Sequence, residues 1–541
     1  MSQINKEQVI KEIQSFLEGR NEKLKYLVNV ETNRETNMAS CVIHEPGHNP
    51  RIEMHKYTPF LYIKDLTKHG YKLYNGDKGL VKAKMIEYGI TYKKMKTGGQ
   101  PRLKNGYDIK VSSNKSQNHL IKFFQNGGID PFDKMRDENG NLVRDDKGKL
   151  IYLSRHLFYI PRLEDQFFIS TGARLFKGIE EYKDLHKLTF DIETTGLRWE
   201  ISRIFSIGIR DNRGFETTLE VEKEDDDDAE RRLIQDFFNT IDFIKPAVIM
   251  GYNSEMFDFE FIVKSAKERL SMDLDALKTS LSETDKLRRN PRATVKFGNQ
   301  TEDYTSTTMW GFTVLDILHA VKRTAAVNTD LKNNKLKYVC KYENIAKENR
   351  MYIDGEDGGI GKMWHDNNIH IINPENNRYI EIPDVFQTVG KNLLVLQEKK
   401  DKLTEEEYKK YKAIFLNEDK AFVDWFRNHA PMVLVQDGKT VKGSIQFITG
   451  KKILRQYLLD DLWETEQVDN LYNQSSFLLA KIVPTTYGRA ATMGNAAVWN
   501  LLMTAWSYEN DLAIPDPDEM ERFSGGLARC YKKGYTKRLV K

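Results

Sequence analysis

Phe190-Asp191-Ile192-Glu193-Thr194-Thr195-Gly196-Leu197 sets two carboxylates two residues apart in a run that reads as a buried β-strand. Side chains at i and i+2 of a strand share a face, so Asp191 and Glu193 point together while Ile192 turns to the other side. Two acids on one face repel unless something positive sits between them, and the usual answer is a divalent cation held by oxygen ligands. Alone the triplet is weak. Asp and Glu number 79 in 541 residues, so D-x-E arises by chance and by itself reads first as a solvated strand edge. Its surroundings decide.

Outward from this stretch, Leu188 to Glu193, Arg203 to Arg210 and Phe215 to Val221 read as successive strands, followed by a helix from about Ala229 to Ile241 and a strand from Ala247 to Gly251. Leu233, Ile234, Phe237, Phe238 and Ile241 make one apolar stripe on that helix. Asp225 to Asp228 precede it; acids at a helix N-terminus are favoured by the dipole and by capping, so they are read as helix-starting residues rather than ligands. The strand succession resembles an RNase H-like sheet. The fold class expected is α/β, with an α+β N-terminal domain over residues 1–180, an RNase H-like domain of mixed sheet and flanking helices over 181–475, and a helical connection over 476–541. In the N-terminal region Phe60 to Ile63, Leu157 to Ile160 and Gln166 to Ser170 are β-like. Thr313 to Leu315 is strand-like and Asp316 opens a helix to about Lys322. Residues 345–445 are charged and less legible, with Leu403 to His429 helix-like, and apolar helical periodicity returns at Ile453 to Trp463 and Ala496 to Trp506.

Composition narrows the classes. Hydrophobic residues at 40% and aromatics at 11% supply cores, charged residues at 30% clothe them, and the net charge of +4 leaves any nucleic-acid contact to local basic patches. There is no apolar run of membrane-spanning length, and the start Met1-Ser2-Gln3-Ile4-Asn5-Lys6 is polar, so neither membrane insertion nor secretion is expected. Cys41, Cys340 and Cys530 are widely separated, without zinc spacing or a disulfide framework, which fits a reducing cytoplasm. A stretch with Lys82, Lys84, Lys93, Lys94, Lys96, Arg102 and Lys104 around Tyr88 and Tyr92 suits single-stranded nucleic acid but reads first as a solvated lysine-rich loop.

Two further acidic motifs accompany the first. Gly251-Tyr252-Asn253-Ser254-Glu255-Met256-Phe257-Asp258 follows a strand and puts Asp258 at the opening of a helix. Tyr457-Leu458-Leu459-Asp460-Asp461 places Tyr457 and Asp461 at i and i+4 of a helix, hence on one face, with Asp460 at i+3 read as solvated or capping. Four acids and a tyrosine can hold two divalent ions about 3.5 to 4 Å apart, the arrangement that stabilises attacking and leaving oxygens in phosphodiester cleavage.

In this order the motifs resemble the Exo I, Exo II and Exo III motifs of the DEDDy 3′-to-5′ exonucleases, in particular the proofreading domain of family B DNA polymerases. The resemblance implies Asp191, Glu193, Asp258, Tyr457 and Asp461 as the catalytic set. It implies Asp191, Glu193, Asp258 and Asp461 as ligands of two Mg²⁺ or Mn²⁺ ions, with Tyr457 positioning the attacking water. It further implies Asn253, Thr194, Leu197 and Phe257 as contacts to the DNA strand. Ser170 to Gly178, Leu315-Asp316-Ile317 and Lys335-Leu336-Lys337-Tyr338-Val339 look like the polymerases of large DNA phages. Phe523-Ser524-Gly525-Gly526 is similar to the Tyr-x-Gly-Gly junction of exonuclease and palm, so Phe523, Gly525 and Gly526 join the DNA contacts, with Lys532, Lys533, Lys537, Arg538, Tyr531 and Tyr535 behind them.

The sequence also departs from the family. The palm motifs of the resemblance are not among these residues, so the expected likeness is to the N-terminal half of a polymerase, and the 345–445 stretch reads as an insertion. The partners implied are single-stranded and primer-template DNA, a palm-bearing polypeptide and a sliding clamp, in a cytoplasmic setting. Two alternatives stay open: a freestanding 3′-to-5′ DNA exonuclease, and a catalytically silent DNA-binding scaffold of a split polymerase.

Overall fold

The computed structural model describes residues 6–516 apart from 101–102, 104, 131–133, 135–140, 143, 145–155, 224, 275–286, 354–358, 418 and 437–438. Its contacts divide the chain into two units, Met1–Thr58 with Arg162–Trp506, and Pro59–Pro161 with Ser507–Lys541. The protein is mixed α/β, as its patterning leads one to expect.

The first unit is built on a five-stranded sheet: β1 (Lys187–Thr194), β2 (Ile204–Asp211), β3 (Glu216–Glu220), β4 (Val248–Gly251) and β5 (Thr313–Asp316), in the spatial order β3-β2-β1-β4-β5. The first three strands form an antiparallel meander, while β4 runs parallel to both β1 and β5. The helices that matter below are α1 (Asp227–Ile244), α2 (Asp258–Lys264), α3 (Ile317–Ala325), α4 (Leu336–Tyr342) and α5 (Gly450–Tyr472). The period-2 pattern of β1 separates its two faces. Leu188, Phe190 and Ile192 bury themselves against Leu233, Ile234, Phe237, Phe238 and Ile241 of α1, the stripe expected from sequence. The other face looks toward α5: Lys187 Nζ meets Asp469 of α5 at 2.7 Å, both side chains buried, and Arg210 of β2 meets Glu466 at 2.6 Å. Helix α1 opens as expected, with the Asp226 carboxylate accepting from the N–H groups of Asp228 and Ala229.

A three-stranded antiparallel sheet of Leu27–Thr32, Met38–Ile43 and Arg51–Lys56 also belongs to this unit. Leu27, Val28 and Val30 share one apolar core with Phe167, Phe168, Val248, Met250 and Leu315. That shared core is why the N-terminal residues go with the central sheet, rather than forming one domain over 1–180 as expected. The run Gln166 to Ser170, expected as a strand, is helical within Leu163–Thr171. Two acids sit in its first turn and Gly172 closes it at φ 69°, in the left-handed region. An apolar run this short carries no periodicity that separates strand from helix.

The expected insertion supplies the strands Arg378–Glu381 and Ile369–Asn373, which Gln446–Thr449, just past it, completes into a small sheet in that order. Ile369, Ile371, Leu393, Phe422 and Phe447 give it a core of its own. The segment Leu403 to His429, expected as one helix, is two, Glu405–Asn417 and Lys420–Val433, because Asp419 starts the second by accepting from the Phe422 N–H at 3.1 Å.

The second unit has a four-stranded sheet ordered Ile90–Lys94, Ile109–Ser113, Phe60–Ile63, Leu157–Phe158. It packs Leu61, Val111, Leu120, Phe123 and Phe124 into a core. Tyr88 lies in that core and Tyr92 packs against it, so these aromatics face inward and leave Lys82, Lys93, Lys94 and Lys96 exposed.

Candidate active site

Asp191 and Glu193 sit near the C-terminal end of β1, on the face turned to α5. The β1–β2 register shifts between Glu193 and Thr194, an irregularity of the kind that re-aims side chains beside functional sites. Asp258, the first residue of α2, reaches the same place: its Oδ1 accepts from the Ile192 N–H at 3.1 Å, and its carboxyl shares a hydrogen bond with that of Asp191. The turn leading to it is tightly held. Asn253 adopts φ 67°, a left-handed conformation that Asn tolerates better than most residues. The buried Asp316 carboxylate, at the end of β5, accepts from the N–H groups of Asn253 at 2.9 Å and Glu255 at 3.1 Å while also capping α3 through Leu318.

These acids crowd one another. Burial, then the charges of Asp258 and Glu193, push the Asp191 carboxyl well above the usual carboxylate range. Glu193 is pushed up to about 8 by burial and Asp258, with Lys337 pulling the other way. Asp258 is pushed up to about 6 by burial, which the hydrogen bonds from Asp191 and Ile192 oppose.

Lys337 of α4 is the residue that the sequence reading left without a role. Its Nζ donates to the Tyr457 hydroxyl at 2.7 Å, and the Lys337 ammonium is itself pushed down to about 8, first by burial and then by Arg350. Tyr457 projects from α5 beside Glu193 and Asp191; burial and their negative charge hold its phenol above the ordinary range, so it stays protonated. The only signal for Lys337 in the sequence is its place in the Lys335–Val339 stretch.

Asp461 stands differently. Its carboxylate is ion-paired with the buried guanidinium of Arg350, which also pairs with Glu464 one helical turn further along α5. Asp460, expected as solvated or capping, is fully buried. It takes the Lys347 ammonium at 2.5 Å and the Met351 N–H at 2.8 Å, because its side of α5 is covered by the segment 347–351. Of the expected DNA contacts, Thr194 Oγ1 donates to the Gly196 carbonyl at 2.8 Å and Leu197 is 84% exposed. Phe257 packs on Phe261 with centroids 5.8 Å apart, while Phe523, Gly525 and Gly526 lie outside the described residues.

Asp191, Glu193, Asp258 and Tyr457 thus come together, and the Asp461 carboxylate is taken up by Arg350. Among the described residues no group of three or more His, Cys, Asp or Glu side chains already stands as a metal-holding cluster. The donor chemistry nevertheless fits a hard divalent cation: three mutually repelling carboxylates, Glu193 and Asp258 buried and Asp191 half-buried, with one lysine as partial compensation.

Residues 204–339 match the family model described as DNA polymerase family B, exonuclease domain. The matched segment runs from β2 to α4 and includes Asp258 and Lys337. The chain is also similar to the solved family B DNA polymerase of the hyperthermophilic archaeon Pyrobaculum calidifontis, at 12% identity and a TM-score of 0.46, over 91% of this chain and 51% of that one. The chain therefore spans about half the length of that polymerase. No curated protein matches it.

Proposed function

We propose that this chain removes nucleotides from the 3′ end of DNA by metal-dependent phosphodiester hydrolysis, as the proofreading part of a DNA polymerase of family B. The observation that carries the reading is the cluster of crowded acids at the end of β1 with Lys337 and Tyr457 beside it, next to a segment that matches the exonuclease domain model. Asp191, Glu193 and Asp258 would hold divalent ions, with Asp461 joining once it leaves Arg350. Such ions supply an activated water and neutralise charge on the leaving 3′-oxygen. The protein's own share is positioning. Lys337 orients the Tyr457 hydroxyl and offsets the charge of Glu193, and the protonated phenol is free to direct a water or a phosphate oxygen at the acids. The turn at Asn253, clamped by Asp316, fixes where Asp258 enters.

The test is direct. Purified protein should shorten single-stranded DNA from its 3′ end with Mg²⁺ or Mn²⁺ and stop in excess EDTA; undiminished cleavage in chelator would refute metal dependence.

Stability should follow the same acids. Glu193 keeps a proton in the folded chain up to about 8, whereas the unfolded chain loses it near 4.5. The folded state therefore binds more protons across that window, and stability falls as pH rises through it. In EDTA the thermal midpoint should drop between pH 5 and 8, and Mg²⁺ should lessen the drop by taking the place of the protons. A midpoint that rises with pH in EDTA would contradict the assignment.

The reading extends to a DNA-directed DNA polymerase of a large DNA phage, acting in the host cytoplasm with primer-template DNA, a palm-bearing polypeptide and a sliding clamp. Its support is the set of phage-polymerase-like stretches from Ser170 to Gly178 and Lys335 to Val339. On this reading the 541-residue chain alone gives no primer extension in a gel assay with all four nucleotides, and any extended product would overturn it.

A further inference from the structure

The segment 343–353 enters the expected insertion and lies along α5 through ion pairs and hydrogen bonds that converge on Asp460, Asp461 and Glu464 of that helix. Lys347 Nζ takes Asp460 at 2.5 Å while its N–H takes Glu464 at 3.1 Å, and Met351 donates its N–H to Asp460 at 2.8 Å. Arg350 lies between them, 4% exposed, with its guanidinium on Asp461 and Glu464 and its charge 5.8 Å from the Tyr457 ring centroid. A buried arginine on a carboxylate is ordinarily a closed, mutually satisfied pair. This one is not closed. The buried Nε of Arg350 meets no acceptor among the described residues, so the guanidinium sits where a cation is wanted without having all its donors used.

Asp461 is also the acid of the proposed set whose carboxylate the structure pairs with a cation among the described residues. To hold a metal together with Asp191, Glu193 and Asp258 it must give up Arg350, whose guanidinium then pairs with Glu464 alone. We propose that Arg350 is a built-in cation that competes with divalent metal for Asp461, so that the segment carrying it sets how readily the acidic site loads. The proposal rests on the nuclease reading above and deepens it. Competition has a definite sign. Removing the guanidinium frees Asp461, leaves Glu464 without its cation and lowers the local positive potential, and all three effects favour a divalent ion.

The experiment is a Mn²⁺ titration of the full chain without DNA, by calorimetry or by the loss of free Mn²⁺ signal in electron paramagnetic resonance, alongside thermal unfolding. Arg350→Gln should tighten Mn²⁺ binding by about tenfold, within the usual range of coupling between linked events. It should lower the melting temperature in EDTA, where Asp461 and Glu464 lose their shared cation, and regain it in Mn²⁺. Arg350→Lys keeps one charge but not the forked geometry, so it should tighten binding by a smaller factor, and it decides the matter if the glutamine variant does not fold. Unchanged or weaker Mn²⁺ affinity in a folded Arg350 variant overturns the proposal. Asp191→Asn separates the two readings. If it weakens Mn²⁺ binding while Arg350 variants do not change it, the competition alone is wrong; if it leaves binding untouched, the metal site itself is wrong.

Discussion

Asp191→Asn is expected to reduce release of nucleotides from a single-stranded 3′ end by about 10³-fold or more, near the upper end of what removing one centre of electrostatic stabilisation costs. The expectation comes from where Asp191 sits. It feels the charge of both Glu193, on the same face of β1, and Asp258, with which it shares a hydrogen bond, so it is the acid that meets both of the others. Asparagine keeps the shape and a hydrogen bond to Asp258 but removes the charge, so a loss of rate in a protein with unchanged melting temperature isolates electrostatics from folding. Tyr457→Phe and Lys337→Met should each cost less, about 10- to 100-fold, because they remove orientation while leaving the carboxylates in place. A quantitative release assay with labelled oligonucleotide ranks the three. An Asp191→Asn protein as active as Tyr457→Phe would deny Asp191 its central place.

What could be read from sequence follows from how local the cause is. The strands of the central sheet and helix α1 were legible because their apolar side chains repeat at strand and helix periods within single segments, and the same periodicity put Asp191 and Glu193 on one face. The helix Leu163–Thr171 was misread because Phe167, Phe168 and Ile169 are all buried, and a run apolar on every side has no period to read. The site was legible where its acids sit in compact motifs and silent where a partner comes from afar. Lys337 meets Tyr457 across 120 positions, Arg350 meets Asp461 across 111, and Lys347 meets Asp460 across 113. Nothing in the immediate neighbourhood of a lysine or an arginine says which acid it will find after the chain has closed on itself. The burial of Asp460 has the same origin, since its burial is made by a segment more than 100 positions earlier.

Gly208 of β2 is the position where fold and site are joined most tightly, and Gly208→Ala should damage both. Gly208 lies directly opposite Asp191 in the β1–β2 register, on the face that α5 covers. A Cβ there would stand 2.7 Å from Leu458 Cγ and 2.8 Å from Leu462 Cδ1, closer than such atoms approach. Leu458 and Leu462 are the neighbours of Tyr457 and Asp461 on α5, so a methyl group at position 208 lifts the helix that carries both functional side chains away from the strand that carries the acids. Overpacking of this kind costs about 1–3 kcal/mol of stability. A displacement of about 1 Å between reacting groups can cost about 10²-fold in rate. The two losses should appear together, in urea denaturation and in 3′-end release. Leu458→Ala alone leaves a cavity and costs about 2–5 kcal/mol. In that background the added methyl no longer meets Leu458 and has only Leu462 Cδ1 to displace, so Gly208→Ala should then cost less than it does in the parent. A coupling of at least about 1 kcal/mol between the two substitutions is the expected sign of direct contact. If the two costs simply add, or if Gly208→Ala is as stable and active as the parent, helix α5 does not lie against the sheet at this point, and the placement of Tyr457 and Asp461 falls with it.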